Sequence, residues 1–293
     1  MAVSLDTLQE VAAQAKGILR ECTLCPRNCR VNRLEDQLGY CQIGRQAQVA
    51  SYGAHFGEEP PLVGRCGSGT IFFTRCNLRC LFCQNYDISQ LGEGAPAEEE
   101  RLAEMMLSLQ AQRCHNINLV TPTHVVAQML GGLFIARSKG LQLPIVYNCG
   151  GYESLSTLQM LEGIIEIYMP DAKYASDEVA RELSDAPDYP SIMKEALKEM
   201  HRQVGDLQMN DQGVAVAGLL VRHLVLPYDL AGTREIMRFL AQEISPNTYV
   251  NIMDQYRPSF KAPYHLRMSR RITSSEYREA VQIALQEGLH RGF

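Results

Sequence analysis

The chain has 293 residues, 46% of them hydrophobic and 21% charged, the composition of a globular protein rather than a disordered or fibrous one. At roughly 150 residues per domain, this length allows one large domain or one with a small companion. The 28 basic and 33 acidic residues leave a net charge of −5, which argues against a broad basic surface for duplex nucleic acid. The most apolar run, residues 213–227, is interrupted by Arg222 and His223 and falls short of the roughly 18 uninterrupted apolar residues that a membrane span needs. Asp6 and Glu10 stand where a secretory signal would be positive and then apolar. The expectation is a cytoplasmic protein without a membrane contact.

In chain order, residues 4–21 carry Leu5, Leu8, Val11, Ala12, Ala15 and Ile18 at near-helical spacing. A cysteine-bearing loop follows, then a short strand at 48–52 and a turn-rich stretch, GEEPPLVGRCGSG. From there the chain alternates. Strands are expected at 70–74, 116–120, 144–148, 164–169, 218–226 and 248–252. Helices are expected at 98–113, 123–138, 153–161, 188–204, 231–243 and 274–289. Six strands alternating with helices imply a parallel sheet. Both a partial α/β barrel and a doubly wound sheet fit, and either puts catalysis at the C-terminal strand ends.

The chain holds ten cysteines, too few to staple a protein of this length, and a cytosol keeps them reduced. Seven fall in two tight groups, the pattern of metal ligation. In TIFFTRCNLRCLFCQN, Cys76, Cys80 and Cys83 are spaced C-x3-C-x2-C directly after a strand. Three thiolates suit an iron–sulfur cluster with one iron left open. Three buried thiols, or three of four zinc ligands, are the plainer alternatives. The earlier group, Cys22, Cys25, Cys29 and Cys41, supplies four thiolates, enough to close a zinc site or to hold an auxiliary cluster.

CNLRCLFC resembles the signature of the radical S-adenosylmethionine superfamily. Within it, GSGTIFFTRCNLRCLFCQNYDIS and the upstream CPRNCRVNR resemble relatives of pyruvate formate-lyase activating enzyme over about residues 20–260. The resemblance implies a partial (β/α)6 barrel at residues 51–293, behind a small cysteine-rich N-terminal extension at 1–50. It implies a [4Fe–4S] cluster on Cys76, Cys80 and Cys83 whose open iron chelates S-adenosylmethionine. Reductive cleavage then yields a 5′-deoxyadenosyl radical that takes hydrogen from a substrate. A flavodoxin- or ferredoxin-like donor would supply the electron. A protein glycyl radical is one implied product; a modified peptide, RNA or small metabolite is an alternative. A non-catalytic metal scaffold is the rival of another class.

Carried over residue by residue, Phe82 stands where the family contacts adenine, and Asn85 matches the asparagine of its Cys-x-Asn. Asp171 and Lys173 in MPDAKY match its Asp-x-Lys, and Arg222 in VRHLVLP matches its carboxylate-binding arginine. Two motifs depart. The second strand ends NLVTPTH, without the Gly-Gly-Glu that binds the cofactor's amine, leaving Thr121, Thr123 and Asn118 as polar groups there. The third ends Asn148-Cys149-Gly150-Gly151, without the acid of a cation site. Asn148 stays a cofactor candidate. Cys149 and Tyr256 are the candidate catalytic groups, each with a structural alternative. His55 and His124 are expected nearest the cavity, and His223 is read as structural.

Overall fold

The computed structural model describes residues 3–293. Helix α1 (Leu5–Ile18) leads into the first cysteine loop and then β1 (Ala47–His55), the short helix α2 (Pro60–Val63) and β2 (Ser68–Phe73). After the second cysteine loop come β3 (Ala95–Ala97), α3 (Glu99–Ala111), β4 (Ile117–Val120), α4 (Val126–Ser138) and β5 (Ile145–Cys149). Next are α5 (Leu155–Met160), β6 (Ile167–Pro170), α6 (Asp177–Ser184), α7 (Tyr189–Val204), β7 (Gln208–Met209) and β8 (Ala215–Leu224). The chain finishes with α8 (Thr233–Phe239), β9 (Tyr249–Met253) and α9 (Ser274–Gln286).

Strands β2, β4, β5, β6, β8 and β9 lie side by side in chain order, all parallel. The order never reverses, so the sheet is not doubly wound. One cavity touches both Phe72 of β2 and Asn251 of β9, so the sheet curves around it. No ladder joins β9 to β2 among the described residues, and the barrel stays open. β1 and β3 extend the β2 edge in antiparallel fashion, and β7 pairs antiparallel with the start of β8. This is a mixed α/β fold with a partial barrel at its centre.

β5 and β6 are buried along their whole length, as strands covered on both faces must be. α4 is apolar on nearly every side because it packs between α1 and α3. Leu8, Ala12, Ala15 and Leu19 belong to the same main core as the barrel. Thr157 donates a 2.8 Å hydrogen bond to the Leu24 carbonyl. The N-terminal residues therefore share the barrel's core.

All six expected parallel strands are present, but β6 begins at Ile167 rather than 164. α6 was not expected. It is eight residues long and mostly polar, held by a Ser176 side chain that accepts from the Val179 N–H and by acids in its first turn. Its apolar residues do share one face, but a stripe only eight residues long is shorter than the window of about 11–18 residues from which helical periodicity is read.

The tops of β5 and β6 are braced by Tyr189 of α7. Its hydroxyl accepts the Lys173 N–H (3.0 Å) and lies within donating distance of the Gly150 and Asp171 carbonyls (2.9 and 2.8 Å). Gly151 has φ +77° and sits against the Asp171 carbonyl, where no side chain would fit. Tyr189→Phe should lower stability by about 1–3 kcal/mol, the cost of stranding buried backbone polar groups. Urea unfolding measures this; an unchanged midpoint would show that the brace is idle.

Candidate functional site

The loop after β2 carries Cys76, Cys80 and Cys83 across the C-terminal strand ends. Its backbone is pinned on both sides. Arg79 and Leu81 N–H donate to the Ser184 and Leu183 carbonyls at the end of α6, and Lys261 N–H donates to the Leu81 carbonyl. The buried Asn77 amide donates to the Tyr152 carbonyl (2.8 Å). Each of the three sulfurs has a hydrogen-bonding neighbour. The Leu78 N–H donates to Cys76 (3.4 Å), the Ser184 hydroxyl donates to Cys80 (2.9 Å), and the Ser89 hydroxyl lies 3.1 Å from Cys83. Burial and the neighbouring Cys80 thiol push Cys76 up to about 12, so the free loop carries it protonated and a metal would displace that proton.

These three cysteines line a cavity of about 500 Å³ with Asn85, Thr121, Asn148, Cys149, Asp171, Lys173 and Arg222. An adjoining space of about 190 Å³ is lined by Phe82 as well as by Cys80, Cys83 and Asn85. Asp171 lies between two cations: Lys173 Nζ is 2.5 Å from one of its oxygens, and Arg222 Nε donates to the other at 2.9 Å. Arg222 also donates to the Asn148 side-chain oxygen at 2.7 Å. Burial opposes the Asp171 charge, yet Arg222 and Lys173 hold its carboxyl below the usual range. Burial likewise works against Lys173 and Arg222, and Asp171 raises both.

The other candidates fall in different places. Tyr256 does not reach the cavity. Its ring packs edge-on to Phe82 and its hydroxyl donates to the Met268 carbonyl at 2.6 Å. Cys149 lines the cavity but is 1% exposed, and burial and Glu153 drive its thiol well above the ordinary range, so it is no ready nucleophile. His55 lines the cavity; His124 does not. His124 sits at the first cysteine group, with Nε2 2.8 Å from the Thr74 carbonyl, and burial lowers it to about 4. Thr123 turns away to donate to Glu153. His223 is buried between the Ala172 carbonyl and Thr233.

Two acids were missed. Glu58 and Glu59, in the GEEPP turn, line the same cavity. Glu59 is buried, accepts from Asn251 (3.0 Å) and lies 4.0 Å from Arg222, while its other oxygen has no partner among the described residues. Burial raises Glu58 to about 7, partly offset by Arg222 and reinforced by Glu59. Two adjacent acids before a Pro-Pro pair were the available signal, read only as a turn.

A protein of Methanocaldococcus jannaschii, "Uncharacterized protein MJ0674", is 31% identical over 290 residues, which are 96% of this chain and 78% of that protein. The chain belongs to the family of that protein. No protein-family model matches it. Among solved structures, Streptococcus suis SuiB bound to precursor peptide SuiA superposes with a TM-score of 0.52 over 75% of this chain at 11% identity. That likeness is one of fold, and the chain spans only 46% of SuiB. The radical S-adenosylmethionine methyltransferase TsrM from Kitasatospora setae superposes at 0.47 over 68% of this chain and 38% of that one, at 14% identity.

Beneath the cavity, Glu153 is fully buried and accepts from Thr123 and Tyr147. Burial raises it to about 7 despite those bonds. A raised acid holds its proton in the folded chain while the unfolded chain releases it. Stability contributed this way is complete below about 4.5, the unfolded value, and is lost as pH rises through about 7. Glu153→Gln should therefore flatten the fall in stability between pH 5 and pH 8, by about 1–3 kcal/mol. Parallel urea titrations at the two pH values test it; equal slopes in both proteins would contradict it.

Proposed function

We propose that the protein is a radical S-adenosylmethionine enzyme with a peptide or protein chain as substrate. One observation carries this reading: three cysteines of one loop and the Asp171–Lys173–Arg222 ion network converge on a single cavity at the C-terminal ends of parallel strands. The residues suit the cofactors. Three thiols with hydrogen-bonding neighbours can hold three corners of a [4Fe–4S] cluster. A cavity of about 500 Å³ lies in the range of sites for ligands of nucleoside size.

With cluster and S-adenosylmethionine bound, the site would supply one-electron cleavage of the sulfonium and removal of hydrogen from the substrate. The chain's own residues bind and orient. Arg222 and Lys173 suit the methionine carboxylate, the arginine through its planar fork. Asp171 suits the amine. The unpartnered oxygen of Glu59 and the neighbouring Glu58 offer the acid that the missing Gly-Gly-Glu would have supplied. Phe82 suits adenine, and Asn85, Thr121 and Asn148 are polar groups open to the rest of the cofactor. Cys149 and Tyr256 have no part in this reading.

The fold likeness to SuiB, which was solved with a peptide, supports a polypeptide substrate. Activation of a glycyl-radical enzyme is one reaction of that class, with a flavodoxin- or ferredoxin-like protein as electron donor. The test is anaerobic: reduced, iron-loaded protein is incubated with S-adenosylmethionine and 5′-deoxyadenosine is measured. Cys80→Ala should abolish product. Asp171→Asn should raise the KM for S-adenosylmethionine about tenfold or more, the loss of one charge-assisted contact, with iron content unchanged. Turnover that survives Cys80→Ala would overturn the proposal.

A further inference from the structure

Cys22, Cys25, Cys29 and Cys41 line a second cavity, together with Arg27, Arg33 and His124. Its free volume is about 10 Å³, room for one water-sized sphere. A water-sized sphere keeps sulfur about 3.2 Å or more from its centre, whereas zinc draws thiolates in to about 2.3 Å. A four-iron cube places iron and sulfide between its centre and the thiolates, and so sets them farther apart.

The walls point the same way. Arg33 is 1% exposed. Its Nε donates to the Gly44 carbonyl (3.2 Å) and its Nη1 to the His124 carbonyl (2.8 Å), with Cys22 Sγ at 3.6 Å, but its buried Nη2 has no partner. Arg27 donates from Nε to the Asn77 carbonyl (2.8 Å) and from Nη1 to the Asp185 carbonyl (2.6 Å), and its buried Nη2 has no partner either. Two buried guanidinium donors left unsatisfied beside four thiols are costly. An iron–sulfur cube removes that cost, because its sulfides accept N–H hydrogen bonds. The charge also matches. A [4Fe–4S]2+ core on four thiolates carries two negative charges, as zinc on the same four would, and Arg27 and Arg33 bring two positive ones.

We infer that Cys22, Cys25, Cys29 and Cys41 bind a second [4Fe–4S] cluster, ligated at all four irons and enclosed by Arg27 and Arg33. Binding releases the four thiol protons. With no open iron, this cluster cannot take S-adenosylmethionine. Arg27 bonds to the backbone at Asn77, between Cys76 and Cys80, and so couples the site to the loop proposed to hold the first cluster. The inference deepens the functional reading and rests on it only for that coupling.

Iron, zinc and acid-labile sulfide are counted in the full chain and in a Cys76→Ser/Cys80→Ser/Cys83→Ser variant, both reconstituted anaerobically. About four iron and four sulfide should remain in the variant, against about eight of each in the parent. One zinc without sulfide in the variant, or a folded variant without iron, overturns the inference. Circular dichroism shows whether the variant folds; if it does not, the parent count decides alone. The radical-enzyme reading fails on a different result, a variant that holds as much iron as the parent.

Discussion

The half-buried guanidinium of Arg222 sets the terms for the rest of the site. It projects from β8, bonds Asp171 just beyond β6 and Asn148 at the end of β5, and so ties three parallel strands together where the cavity opens. A charge placed there costs several kcal/mol unless it is paired and hydrogen-bonded. Asp171 supplies the pairing and is shared with Lys173; Glu59 stands 4.0 Å away on the other side. Two cations and two anions then balance, and Glu58, a fifth and half-buried charge, is pushed up to about 7. The same groups that make the strand ends cohere present opposite charges to the cavity, the complement of a ligand with a carboxylate and an amine on one carbon.

Much of this was legible because sequence encodes local periodicity well. The six parallel strands are short apolar runs buried on both faces, and the helices between them repeat every three or four residues. Asp171 and Lys173 were readable as neighbours because alternate residues of an extended segment share a side. The parts that escaped are long-range. Glu58 and Glu59 reach the cavity only because the chain turns under the barrel before β2, which no local pattern reports. His124 follows the second cysteine loop by 41 positions, yet sits at the first cysteine group, because the Thr74 carbonyl and Arg33 fix it there. Tyr256 looked like a cavity residue from its place after β9; a single hydrogen bond to the Met268 carbonyl turns it away.

The helix that went unseen explains how the loop holds its shape. α6 ends at Leu183 and Ser184, whose carbonyls accept the Leu81 and Arg79 N–H groups, while the Ser184 hydroxyl donates to Cys80. From the opposite side, Arg27 holds the Asn77 carbonyl, and its guanidinium lies 3.8 Å over the Tyr40 ring. Arg79 donates to the Tyr40 carbonyl. The two cysteine groups are thus joined by a shared wall of arginine, tyrosine and backbone. Loops ordinarily carry function at the expense of order; here the reactive loop is fixed by two elements distant in sequence.

In the function proposed here, the cavity beneath Cys76, Cys80 and Cys83 holds a cluster with one iron free to take S-adenosylmethionine. The most direct test is electron paramagnetic resonance of the reduced, iron-loaded protein before and after S-adenosylmethionine is added. The account predicts that a signal lost in Cys80→Ala shifts its g-values when S-adenosylmethionine binds. A spectrum that S-adenosylmethionine leaves unchanged, in protein whose Cys76, Cys80 and Cys83 hold a cluster, would contradict it.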